Sequence, residues 1–147
     1  MNQADSELML GLLKQAGYEI VSQEEDAELV IINTCIVKKP TESKILRRLR
    51  RIEEKKVIVA GCMPSAEKEL IRKNFPDFSM IGPENILSLA RVVERVAKGE
   101  RIVEIKREKE VKLCIPKLRR NPVIEIVPIC SGCLGNCSYC IVRVARG

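Results

Sequence analysis

The chain predicts an α/β fold, a parallel sheet wrapped by helices on both faces and so doubly wound. Three observations predict it. Residues 1–105 alternate between segments with a helical apolar period and short apolar runs, which is the pattern of successive βα units. Two of those runs, at residues 28–33 and 57–60, are continuous rather than alternating, the mark of strands covered on both sides. Glycine and proline punctuate the alternation at Gly17, Pro76, Gly82-Pro83 and Gly99, where helices and strands must stop.

The elements follow in order. Residues 5–16 form an amphipathic helix with Leu8, Leu12 and Leu13 on one face beside Met9 and Ala16, and Gly17 stops it. A short strand covers 18–21, and the buried strand 28–33 follows. Pro40 and Thr41 open a helix to about residue 54. Its inward residues are Ile45, Leu46, Leu49 and Ile52; Lys44, Arg47, Arg48, Arg50 and Arg51 face out, and Thr41 is the expected N-cap. The second buried strand, 57–60, leads to Gly61-Cys62. Ser65 caps a helix to Asn74, ended by Pro76. Residues 78–81 are a strand and Gly82-Pro83 a turn. The helix 84–98 carries Ile86, Leu89, Val92, Val93 and Val96 as its stripe, and 101–105 is a final strand.

Residues 106–122 change character. They are dense in Lys, Arg and Glu, hold Pro116 and Pro122, and read as a linker. Residues 117–120 are either solvated or a contact for RNA phosphate. Residues 123–127 are a new strand running straight into a cysteine loop. A strand followed by a cofactor loop is how a (β/α) barrel begins, with its chemistry at the C-terminal ends of strands. The organisation is therefore a domain at 1–105, a linker at 106–122 and the start of a second domain at 123–147.

Composition narrows the function. The 147 residues are 46% hydrophobic and 31% charged, which suits a folded soluble chain. No apolar run is long enough for a transmembrane helix, and no basic start is followed by an apolar signal core. The net charge of +6 is compatible with a nucleic-acid partner. Two Phe, two Tyr and no Trp make an aromatic platform for stacking single-stranded bases unlike this segment. Reduced cysteines place the chain in the cytoplasm.

The cysteines are the chemical signal. Four of the seven lie within eleven residues, at Cys130, Cys133, Cys137 and Cys140, and there is no histidine. Any metal site must rest on sulfur. Cys133-x3-Cys137-x2-Cys140 is the spacing of radical S-adenosylmethionine (SAM) enzymes, in which three thiolates hold three irons of a [4Fe–4S] cube and leave the fourth iron open. A structural zinc site is the alternative, though its cysteine pairs usually stand farther apart than the three residues between Cys133 and Cys137. A bacterial ferredoxin run places its x3 gap last, before a Cys-Pro that is absent here. A disulfide framework does not suit an odd cysteine count. Cys35 and Cys62 each follow a buried strand and project toward one rim, where ligands of open α/β sheets gather. They are either small buried residues or two ligands of a shared site that needs a third. Cys114, in the linker, is a poor candidate.

Taken together, these residues resemble the tRNA methylthiotransferases, in the archaeal and eukaryotic threonylcarbamoyladenosine branch. The carrying segments are Asn2-Gln3-Ala4-Asp5-Ser6-Glu7, Asn33-Thr34-Cys35-Ile36-Val37 with Thr41-Glu42, Ala60-Gly61-Cys62-Met63-Pro64, Ile81-Gly82-Pro83-Glu84-Asn85-Ile86, and Gly132-Cys133-Leu134-Gly135-Asn136-Cys137-Ser138-Tyr139-Cys140. The resemblance implies an N-terminal methylthiotransferase domain lacking its first strand, followed by the start of a radical SAM (β/α) barrel. It implies two [4Fe–4S] clusters. Cys133, Cys137 and Cys140 would hold the radical SAM cluster, with Tyr139 near the SAM adenine. Cys35 and Cys62 would hold the auxiliary cluster, whose third cysteine the family places on the missing strand. SAM would be cleaved to a radical that activates the adenosine C2–H, and a second SAM would supply the methyl group. The implied partners are tRNA and an electron donor such as ferredoxin or flavodoxin. Most of the barrel and an RNA-binding TRAM domain would lie beyond this sequence, and the 147 residues alone would not complete the reaction. Cys130 would be a bystander. The competing readings are an iron–sulfur electron-transfer module and a zinc-stabilised nucleic-acid-binding protein.

Overall fold

The computed structural model describes residues 2–36, 39–106 and 111–147, with backbone only for residues 39–42. The element order is α1 (Asn2–Gln15), β1 (Leu29–Thr34), α2 (Lys39–Arg51), β2 (Lys56–Gly61), α3 (Cys62–Ala66), α4 (Lys68–Asn74), β3 (Ser79–Ile81), a 3-10 helix (Pro83–Ser88), α5 (Leu89–Ala97), β4 (Val103–Glu104) and α6 (Val142–Arg146). The four strands are parallel in the order β1-β2-β3-β4.

Side-chain alternation along β2 builds two cores. Val57 and Val59 face a cluster with Leu49 and Ile52 from the α2 side, and Ile71, Phe75 and Met80. Ile58 and Ala60 face the other side, packed with Leu8, Met9 and Leu13 of α1 and Leu89, Val92 and Val96 of α5. Helices therefore cover both faces, as the continuous apolar runs predict. Ile58, Leu49 and Leu89 are fully buried, each worth about 1.5–3 kcal/mol of transfer free energy.

Several expected elements differ. Residues 18–21 form no strand: Ile20 and Val21 are exposed. Among the described residues β1 pairs only with β2. Without a partner strand these residues join no ladder; the Tyr18 N–H donates instead to the Leu13 carbonyl at 3.0 Å, at the end of α1. Residues 123–127 likewise form no strand. Val123, Ile124 and Val127 are exposed, and no neighbouring strand accepts their hydrogen bonds. A barrel start is thus not visible among the described residues; 123–147 contributes only α6, which packs on α3.

The helix expected from Ser65 is two helices. The first begins directly at Cys62, and Glu67 (φ −129°, ψ 41°) separates it from α4. Ser65 lies inside α3 and caps nothing. Pro64 is tolerated because the first-turn N–H it lacks has no intrahelical acceptor. The helix expected at 84–98 opens as a 3-10 turn kinked at Asn85 before α5. Asn85 Oδ1 accepts the Lys106 N–H at 2.8 Å, which ties the kink to the strand-end backbone. The last strand shrinks to two residues. Helix α2 starts at Lys39 and ends at Arg51; the Thr41 side chain expected to cap it lies outside the described residues.

The linker is partly docked. Leu118 N donates to the Glu7 carbonyl at 2.9 Å, and Arg120 N to Glu7 Oε1 at 3.3 Å. Gly11 makes room for this crossing: a Cβ there would lie 2.1 Å from the Pro116 carbonyl oxygen. Lys117 Nζ and Arg119 Nη1 pair with Glu125 at 3.0 and 3.9 Å.

Candidate functional site

The carboxyl end of the sheet is the candidate site. Thr34 and Gly61 are the last registered pair of β1 and β2, so Cys35 and Cys62 come directly after the ends of neighbouring strands. The loops there are rigidly tied. Thr34 Oγ1 donates to the Ala60 carbonyl at 2.6 Å and accepts from Met63 N at 3.1 Å. Asn33 Nδ2 donates to the Asn2 carbonyl and Ser6 Oγ at 2.8 and 2.7 Å, and Asn2 Nδ2 returns a bond to the Thr34 carbonyl at 3.2 Å. The asparagine–threonine pair thus fastens the end of β1 to α1 and β2. Gly61 adopts φ 90°, ψ −146°, a region open essentially to glycine alone. A Cβ there would stand 2.5 Å from the Thr34 carbonyl oxygen.

Cys62 is buried and Cys35 half-buried. Burial pushes the Cys62 thiol above its ordinary value; the Arg146 guanidinium opposes this, and Cys35 adds a smaller push upward. Arg146 Nε donates to Cys62 Sγ at 3.1 Å, and its Nη2 donates to Asp5 Oδ2 at 2.6 Å. Lys112 Nζ lies 3.8 Å from Asp5 Oδ1 and donates to the Pro83 carbonyl. Burial alone would lower the Arg146 value, but Asp5 and Cys62 outweigh it and hold the guanidinium charged.

Residues 112 and 146 were not marked as site residues by sequence reasoning. One signal pointed that way. Asp5 shares the apolar face of α1 with Leu8 and Met9 at helical spacing, and an acid buried on such a face requires a cation.

The three-cysteine loop is exposed and contains neither helix nor strand. Cys133, Cys137 and Cys140 line one open concavity of about 360 Å³, with Asn136 and Arg143 beside them. Arg143 Nη1 donates to Asn136 Oδ1 at 3.0 Å across the loop. A Cβ on Gly135 would lie 3.3 Å from Cys133 Sγ and 3.9 Å from Cys137 Sγ, so two sulfurs flank a position without a side chain. Among the described residues no three Cys, Asp, Glu or His side chains are gathered closely enough to hold a metal ion. The loop therefore fits a sulfur-ligated group in donor chemistry and in open space, with its thiols around a common concavity rather than converged on one point. At the rim, Cys35 and Cys62 supply two soft donors, with no third among the described residues. Tyr139 is exposed and is not among the residues that line the concavity. Cys114 and Cys130 are exposed and do not line it. No helix among the described residues is long and apolar enough to cross a membrane.

Comparison with known proteins gives a consistent result. Residues 1–82 match the uncharacterized protein family UPF0004. A protein of Methanothermobacter thermautotrophicus named probable threonylcarbamoyladenosine tRNA methylthiotransferase is 41% identical over 99% of this chain, which covers 35% of that protein. The protein of the same name from Pyrococcus horikoshii is 40% identical, with the same shares covered. The human threonylcarbamoyladenosine tRNA methylthiotransferase is 36% identical over 99% of the chain, covering 26% of its length. The chain spans about a third of the length of the archaeal relatives it matches.

Proposed function

The chain belongs to the UPF0004 family, and from that premise we propose that it serves a tRNA methylthiotransferase, which adds a methylthio group to C2 of N6-threonylcarbamoyladenosine beside the anticodon. The observation that carries this reading is the pairing of Cys35 with Cys62 on adjacent strand ends, in a chain that also holds the Cys133, Cys137 and Cys140 spacing around one concavity. The names of the relatives support the substrate.

In this reading Cys133, Cys137 and Cys140 would hold a radical SAM [4Fe–4S] cluster, and Tyr139 would lie near the SAM adenine. Cys35 and Cys62 supply two ligands of an auxiliary [4Fe–4S] cluster. Bound there, the two clusters supply one-electron cleavage of SAM and a source of sulfur. The chain's own residues do the rest. Thr34 and Asn33 fix the ends of the strands, and Gly61 keeps the approach to Cys62 free of a side chain. Asn136 and Arg143 brace the loop beside the concavity. The partners are tRNA and a low-potential electron donor such as ferredoxin or flavodoxin, and the compartment is the reducing cytoplasm.

The test is anaerobic reconstitution with iron and sulfide, followed by EPR of the reduced protein with and without SAM and by metal analysis. A [4Fe–4S] signal that shifts with SAM and disappears in Cys137→Ala supports the reading. Stoichiometric zinc overturns it in favour of a zinc-stabilised nucleic-acid-binding protein. A cluster indifferent to SAM, also when the chain is lengthened to the span of its relatives, makes it an electron-transfer module instead.

A further inference from the structure

We propose that Arg146 is a positioning residue for Cys62, a latch that fastens the helix following the three-cysteine loop onto the sulfur rim of the N-terminal sheet. That Cys62 is an iron ligand rests on the function proposed above; the latch itself needs no iron.

Three segments distant in sequence meet at this guanidinium. Asp5 comes from α1, Cys62 opens α3, and Arg146 closes α6, 141 residues from Asp5. Arg146 is 9% exposed and Asp5 5%. A buried charge is held only by a partner, and removing either partner strands the other. The forked head of arginine is what the geometry uses, with Nη2 on the carboxylate at 2.6 Å and Nε on the sulfur at 3.1 Å. A lysine ammonium is a point charge on a flexible stem and does not reproduce that fork. The neighbouring Ala145 joins the hydrophobic cluster that contains Cys62 and Met63, so α6 is held by apolar packing as well as by charge. Arg146 Nη1 is buried with no hydrogen-bond partner among the described residues, which leaves one further buried donor on the same guanidinium.

Two consequences follow. Only five residues lie between Cys140 and Arg146, so the latch also limits how far the three-cysteine loop can stray from Cys35 and Cys62. In addition, hydrogen bonds to ligating sulfur are among the levers that set a cluster's potential, and with Cys62 as a ligand Arg146 would be such a donor.

The experiment is amide hydrogen exchange on the reduced, metal-free chain, comparing α6 with β2. In the unaltered chain the Ala145 and Gly147 amides, bonded to the Ile141 and Arg143 carbonyls at the two ends of α6, exchange slowly relative to an unfolded peptide. Arg146→Gln and Asp5→Asn lower that protection several-fold while Ile58 and Val59 of β2 keep theirs. Cys62→Ala lowers it by a smaller factor, and Arg146→Lys matches Cys62→Ala because it keeps the charge and loses the sulfur contact. Cys62→Ser restores protection, since its hydroxyl accepts from Nε. The latch is overturned by unprotected α6 amides in the unaltered chain, by full protection in Arg146→Gln, by parallel loss in β2, or by Cys62→Ser behaving as Cys62→Ala. Failure of the proposed function would appear elsewhere, as absence of an iron–sulfur spectrum in the unaltered protein.

Discussion

Replacing Gly61 with alanine tests whether the strand ends are as tightly built as they look. Two penalties apply. An alanine at φ 90°, ψ −146° occupies a sparsely populated region, at about 1–3 kcal/mol. Its Cβ would also stand 2.5 Å from both the Thr34 carbonyl oxygen and Asn33 Oδ1. Because Thr34 belongs to β1 and is paired with Gly61 across the ladder, backbone must move to relieve that contact, adding about 1–3 kcal/mol of overpacking. The sum is about 2–6 kcal/mol, against a total stability of roughly 5–15 kcal/mol for a domain. Gly17→Ala is the control. Gly17 has φ 86° but nothing within 4 Å of its would-be Cβ, so it bears only the backbone cost, about 1–2 kcal/mol. Urea unfolding followed by circular dichroism measures both. If Gly61→Ala lost no more stability than Gly17→Ala, the crowding between β1 and β2 would not exist, and the argument that only glycine fits at the end of β2 would fall.

Other substitutions probe separate parts of the molecule. Thr34→Val removes a buried hydroxyl bonded to Ala60 and Met63; it is predicted to cost about 1–3 kcal/mol, and an unchanged urea midpoint would refute that. Arg91 makes a two-pronged bond to Glu104 at 2.9 and 2.8 Å but is half exposed, so Arg91→Ala should cost under about 1 kcal/mol in the same assay. Leu89→Ala empties a fully buried position on α5 and should cost about 2–5 kcal/mol. The raised Cys62 value predicts a pH effect in the metal-free chain. The native state holds this proton more tightly than the unfolded one, so the contribution to stability is complete below the ordinary thiol value near 8.5. It is lost as the pH rises through the higher folded value. Unfolding free energies measured from pH 7 to 10 should fall for the parent relative to Cys62→Ala; parallel curves would contradict the shift.

What the sequence determined by itself is what depends on neighbours in sequence. The runs around Ile31 and Val59 could only be strands covered on both faces, and they are β1 and β2. Apolar spacing in the segments holding Leu8 and Val92 set which faces of α1 and α5 enter the core. The placement of Cys35 and Cys62 at strand ends on one rim followed from the same runs, because parallel strands share a carboxyl edge; that the two strands are neighbours is a fact of the sheet order. The tertiary structure alone decided what depends on distant partners. Residues 18–21 and 123–127 have strand-like composition, but a strand exists only where another strand takes up its hydrogen bonds, and none among the described residues does. Helix α3 begins at Cys62 rather than at Ser65 because the backbone passes from β2 into its first turn through Gly61. The link of Asp5, Cys62 and Arg146 spans nearly the whole chain. No local period encodes such a contact; it exists because a carboxylate buried among apolar side chains must be neutralised by whatever cation the fold brings within reach.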